Sequence, residues 1–138
     1  DLARYARMLL QGGELDGVQL FEPETVKLMT TVQTPPAITS RRGLGWDIDT
    51  GYSSPRGEKN GTQFPLGSFG HTGFTGPSIW IDPHSRTFVI FLCNRVHPTE
   101  NGPSIIQLRR TIGTLAAEAV KGFDFYNVPG ALPAREGN

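Results

Sequence analysis

The 138-residue sequence has a single cysteine, Cys93, so it closes no internal disulfide and builds no zinc site from several cysteines. It has no formal net charge either, because 13 basic residues balance 13 acidic ones. The basic residues are scattered, with Arg41-Arg42 and Arg109-Arg110 as the adjacent pairs. That distribution leaves no electrostatic footprint for nucleic acid or an anionic lipid surface. No apolar run approaches the ~20 residues that span a bilayer, so no membrane segment is expected in this chain. The opening "DLARYARMLLQGG" has neither an initiator Met nor a basic region followed by a cleavable apolar stretch. It starts inside an amphipathic pattern, as expected for a piece of a longer protein, so compartment is not readable from it. No internal repeat is evident. Glycine and proline, in contrast, are plentiful at 17 and 11, which predicts a loop-rich single domain.

Periodicity supplies the elements. Leu2, Tyr5, Ala6, Leu9 and Leu10 recur at helical spacing, with Asp1 placed to cap the start and Gly12-Gly13 the end. Asp16-Gly17 is a turn signal, and "EPETVKLMTT" predicts a short helix with Pro23 in its first turn. "TPPAITSRR" reads as a breaker-rich connection, and "GLGWDIDTGY" as a strand alternating Leu44, Trp46 and Ile48. The Gly- and Pro-rich stretch from Ser53 to Gly70 predicts a long loop, with Asn60-Gly61-Thr62 more plausible as a turn than as a glycosylation sequon. "HTGFTGPSIWID" then predicts a strand, joined through the turn "DPHSR" to an antiparallel partner "TFVIFLCN". Six consecutive apolar residues in that partner predict a central strand buried on both faces. Finally, Ile105, Leu108, Ile112, Leu115 and Ala119 form the stripe of a C-terminal helix running from Pro103 to Gly122. The expected fold class is α+β, an antiparallel sheet flanked by N- and C-terminal helices, over residues 1–122. Residues 123–138 read as a loosely held tail.

The stretch "FGHTGFTG" carries the chemistry. His71-Thr72-Gly73 beside an apolar strand, within "YSSPRG…GSFGHTGFTGPSIWIDP…TFVIFLCNRVHP", resembles the third active-site motif of the serine β-lactamase and penicillin-binding-protein superfamily, usually Lys-Thr-Gly. The likeness is to its class-C-like members, often described as β-lactamase-related esterases, and runs from Asp1 to about Lys121. It implies the C-terminal part of a β-lactamase/transpeptidase-like fold and a serine hydrolase acting through an acyl-enzyme on an ester, a β-lactam or a peptidoglycan-like amide, with no cofactor and no metal. By resemblance, His71, Thr72 and Gly73 line the substrate, and the backbone N–H of Phe74 donates to the oxyanion, a contribution typically of ~3 kcal/mol. Proteins of this group are often exported.

The departures are equally specific. The family's nucleophile is a serine three residues before a lysine, yet the residues three before Lys27, Lys59 and Lys121 are Glu24, Arg56 and Glu118. No Tyr-x-Asn, Ser-x-Asn or Gly-x-Ser-x-Gly occurs. The nucleophile is therefore expected outside this chain, and the chain alone is expected to be inactive. Two alternatives remain open at this point: a non-catalytic ligand-binding module and an inactive fragment of the same fold. Histidine at 71 in place of lysine matters electrostatically. An ammonium group, with a reference pKa of about 10.4, stays charged at neutral pH, whereas an imidazole, at about 6.5, is mostly neutral. A neutral group suits a neutral ester better than a carboxylate-bearing lactam.

Other residues read more plainly. His84 is expected on an exposed hairpin turn, His97 near the cleft border at most, and the even spacing 71, 84, 97 does not make a metal site. Cys93 reads as an inert core thiol and Trp46 and Trp80 as core aromatics. Ser53, Ser54 and Ser68 are expected at the pocket rim. Because part of the sheet would be covered by further chain, an uncovered edge and self-association through it are expected.

Overall fold

A computed structural model describes residues 1–50, 67–125, 127–129 and 131. Helix α1 (Leu2–Leu10) forms where the sequence predicts, burying Ala6, Met8 and Leu9. Asp1 occupies its N-cap position, although its side chain makes no capping bond. The hairpin β1 (Glu14–Leu15) and β2 (Val18–Gln19) turns on Asp16 and Gly17, whose positive φ values of 52° and 83° suit a tight two-residue connection. Helix α2 (Pro23–Thr30) starts on its proline, where the missing N–H costs nothing.

The main sheet has five antiparallel strands in sequential order: β3 (Arg41–Arg42), β4 (Asp47–Asp49), β5 (Phe69–Thr72), β6 (Ser78–Asp82) and β7 (Thr87–Phe91). Helix α3 (Ile106–Glu118) follows. Alternation along β6 divides the core. Ile81 packs with Ala6, Met8, Leu9, Val26, Trp46, Ile48 and Phe69, so α1 and α2 cover that face. Trp80 instead packs with Ala117 of α3 and with Phe125. The architecture is α+β, an antiparallel sheet between N- and C-terminal helices. Phe125, just beyond α3, is buried and meets the Phe123 ring edge to face at 4.7 Å, so the chain past residue 122 begins packed on the sheet. No helix among the described residues is long and apolar enough to cross a membrane.

Several expectations are corrected. Arg41-Arg42, expected in a connection, forms β3, paired with β4 through Arg41 opposite Asp49 and Arg42 opposite Asp47. Leu44 is exposed rather than part of that strand, because Gly43 donates its N–H to the Trp46 carbonyl and closes a turn. The strand expected over 71–82 is two strands. The loop Gly73–Pro77 separates them, closed by the Gly73 N–H bond to the Pro77 carbonyl at 2.8 Å. Among the described residues, strand β7 stands last in the strand order. Helices contact it on both faces, as its apolar run implies, but only β6 pairs with it among the described residues, and all five residues are half-buried. Cys93 lies beyond β7 and is half-buried, its sulfur set against Gly76.

The largest change concerns α3. The expected stripe does not face the sheet: Leu108 and Leu115 are exposed, and Gly113 and Ala117 are buried. Small residues at spacing four let the helix axis approach the Trp80 ring closely, which bulkier leucines would prevent.

Candidate active site

Strand β5 delivers the motif. Its first residue, Phe69, is anchored in the core edge to face against Trp46, with ring centroids 5.3 Å apart. Gly70 is registered opposite Trp80, and an added Cβ there would stand 2.3 Å from that ring, so the strand lies flat against the indole. His71 and Thr72 then emerge at the strand end, opposite Ile79 and Ser78, before the chain turns into 73–77. The His71 ring is exposed, and its Nδ1–H donates to the Thr72 carbonyl at 2.9 Å. A carbonyl only accepts, so a neutral ring keeps Nε2 as an outward acceptor.

A cavity of about 530 Å³ opens beside this strand end, bordered by His71, Thr72, Gly73 and Phe74. The four residues singled out from the sequence are thus together. The loop 73–77 that carries the last two has every carbonyl engaged. Gly73 O accepts from the Gly76 N–H and Arg109, Phe74 O from Arg95, and Thr75 O from the Arg95 N–H. Gly76 O accepts from Arg109, and Pro77 O from the Gly73 N–H and Arg109. The Phe74 N–H, in contrast, has no acceptor among the described residues.

The chain belongs to the beta-lactamase family. The family described as Beta-lactamase matches residues 1–113, from α1 into α3. A protein of Escherichia coli (strain K12) named "Putative D-alanyl-D-alanine carboxypeptidase" is 35% identical over 97 residues, 70% of this chain and 21% of that protein. Proteins of the same name from Salmonella paratyphi B and Salmonella newport are each 31% identical over 105 residues, 76% of this chain and 23% of theirs. The chain spans about a fifth of the length of these curated relatives. Its α+β fold is consistent with a fragment of a β-lactamase/transpeptidase-like fold, and the family is of the serine-hydrolase type.

In this beta-lactamase-family chain the cavity holds residues that motif reading missed. Arg42, Asp47, Arg95 and Arg109 line it together with the motif. The only signal for them was the paired arginines, of which one member each, Arg42 and Arg109, reaches the cavity. Asp47 is 2% exposed; its Oδ2 accepts from Thr50 Oγ1 at 2.7 Å, and its Oδ1 has no partner among the described residues. Arg95 stacks over the Phe74 ring, 5.4 Å from the centroid. Burial disfavours the charged form of Arg109 and lowers its pKa; the nearby Cys93 opposes this, and Arg95 adds to it.

The other candidates fall elsewhere. His84 is half-buried in the β6–β7 turn beside a second cavity, and His97 is exposed and off the first one. Among the described residues no three His, Cys, Asp or Glu side chains are grouped to hold a metal ion. Ser68 is fully buried instead of standing at the rim. Ser53, Ser54 and the sequon at 60–62 lie outside the described residues.

Proposed function

We propose that the protein containing this chain is a serine acyl hydrolase working through an acyl-enzyme, and that this chain supplies one wall of its site. A serine oxygen, expected outside this chain, attacks the substrate carbonyl carbon. The carbonyl oxygen becomes an oxyanion, and the C–N or C–O bond breaks as the leaving amine or alcohol takes a proton. Water then hydrolyses the ester formed on serine. The observation that carries the reading is the Phe74 N–H, without an acceptor among the described residues, on a loop whose carbonyls are all engaged, at a cavity bordered by His71, Thr72 and Gly73. A donor left without a partner and held in place is what a developing oxyanion requires. Thr72 and His71 Nε2 stand on the substrate side.

The imidazole at 71 by itself argues for a neutral ester. Three guanidiniums, Arg42, Arg95 and Arg109, against one carboxylate, Asp47, argue for a carboxylate on the substrate. Arginine carries its charge throughout the working pH range, so the cavity field outweighs the loss of one ammonium group. The reading is therefore an acyl substrate ending in a carboxylate, which agrees with the names of the D-alanyl-D-alanine carboxypeptidase relatives.

Two measurements test this. A fluorophosphonate should label the full-length protein once, on a serine outside this chain, and leave the isolated chain unlabelled by intact mass. A stoichiometric adduct on the isolated chain, or none on the full-length protein, would overturn the proposal; the latter would favour a non-catalytic module. For the full-length enzyme, kcat/KM on a D-alanyl depsipeptide should exceed that on a p-nitrophenyl acetate ester. The reverse order would restore the neutral-ester reading.

A further inference from the structure

Arg109 lies in α3 on the line continued by Gly113 and Ala117, the buried residues of that helix. Spacing by four puts all three on the face turned to the sheet. From there its guanidinium reaches the loop after the motif, more than thirty residues earlier in the chain. Nη2–H groups donate to Gly73 O at 2.8 Å, Gly76 O at 2.6 Å and Pro77 O at 3.2 Å, and Nε–H donates to Gly76 O at 3.0 Å. No carboxylate forms an ion pair with it among the described residues. A half-buried cation thus spends its Nε and Nη2 hydrogens on three neutral carbonyls of one turn. The planar fork of arginine suits that arrangement.

The consequence follows from peptide geometry. Gly73 C=O and Phe74 N–H belong to one trans peptide plane, in which the two groups point opposite ways. Holding the Gly73 oxygen toward α3 therefore turns the Phe74 N–H away from α3. The same logic applies one plane later, where Arg95 holds Phe74 O at 3.3 Å. Flipping the Gly73–Phe74 plane would break the Arg109 bond, together with the Gly76 N–H bond to the same oxygen, and reverse the Phe74 N–H.

We propose that Arg109 is a positioning residue: it fixes the Gly73–Phe74 peptide plane, and so the direction of the oxyanion donor, from a helix remote from the motif in sequence. The inference rests on the acyl-transfer reading above.

The test uses the full-length protein, first shown to take the fluorophosphonate label. Arg109→Ala and Arg109→Lys are compared with Gln107→Ala, an exposed change on the same helix. Arg109→Ala should lower kcat about 100-fold, the scale of a lost or misdirected oxyanion donor, with KM within about threefold. Arg109→Lys should fall between, and added ethylguanidine should restore part of the Ala variant's rate. Amide hydrogen exchange is the second readout. In Arg109→Ala the amides of Gly73, Gly76 and Arg95, all hydrogen-bonded within this turn, should exchange faster, while those of β6 and β7 should not.

Unchanged kcat in both variants, or a loss seen entirely in KM, overturns the proposal. If Arg109→Ala exchanges faster throughout the sheet, the variant has lost its fold, and Arg109→Lys decides by the same criteria. A wild type that takes no label overturns the acyl-transfer reading instead, and the order of measurements separates the two failures.

Discussion

Gly76→Ala tests the turn that carries the Phe74 N–H, the oxyanion donor proposed above. Gly76 has φ of 129°, in a region that residues with a side chain rarely occupy, and such a conformation costs about 1–3 kcal/mol. An added Cβ would also stand 2.7 Å from Cys93 Sγ, 3.2 Å from Cys93 O and 3.3 Å from the Arg95 nitrogen. Two of those contacts are backbone, so the turn itself must shift. Overpacking of this kind costs a further ~1–3 kcal/mol. The expected total is about 2–6 kcal/mol, read in the full-length protein as a lower urea midpoint at unchanged slope. Cys93→Ala separates the causes: it removes the sulfur contact and leaves the φ cost. In that background Gly76→Ala should cost about 1 kcal/mol less, a coupling within the range for touching residues. Activity should remain low even so, because Gly76 O is also held by Arg109. A cost below about 1 kcal/mol, or one that Cys93→Ala does not change, would refute the steric and conformational account.

Other substitutions probe neighbouring parts of the argument. Asp82 is fully buried and accepts from the His84 N–H, the Ser85 N–H and the Ser85 hydroxyl at the β6–β7 turn. Its change to Ala should cost about 2–4 kcal/mol by leaving two backbone donors unpaired, measured by thermal unfolding. Trp46→Ala should cost about 3–5 kcal/mol, because its ring stacks on Tyr5 and meets Phe69 in the core. His71→Lys adds a charge on the substrate side, and it should raise kcat/KM for a carboxylate-bearing substrate relative to a neutral ester by about tenfold, roughly 1.4 kcal/mol. An unchanged ratio would show that residue 71 does not face the substrate.

Much of the architecture is local and therefore legible in the residues. Turn chemistry at Asp16-Gly17, proline at the start of α2 and the stripe of α1 depend on neighbours within a few positions. The motif at 71–73 is local too, and so is the antiparallel pairing of β6 with β7 across a short turn. Readings failed where the deciding partner is distant. Leucines at helical spacing in α3 look like a core stripe, but close approach to Trp80 favours the small face of Gly113 and Ala117. An apolar run looks central, yet among the described residues β7 has β6 as its one strand partner, because strand order is a property of the whole sheet.

The candidate site divides in the same way. The residues proposed for it from the sequence, His71, Thr72, Gly73 and the Phe74 amide, are contiguous, and the resemblance rests on that contiguity. The Gly73–Phe74 peptide is held in part by a local bond, Gly76 N–H to Gly73 O, and in part by residues that are not contiguous with it. The side chains that hold the turn come from Arg95 and Arg109, and neither stands in any motif. Sequence could name Arg109 and Arg110 as a pair. Only the packing of α3 decides that Arg109 reaches the turn while Arg110 Nε is buried without a partner among the described residues. A hydrogen bond between residues more than thirty positions apart depends on where a helix settles on a sheet, and that is set by burial over both elements together.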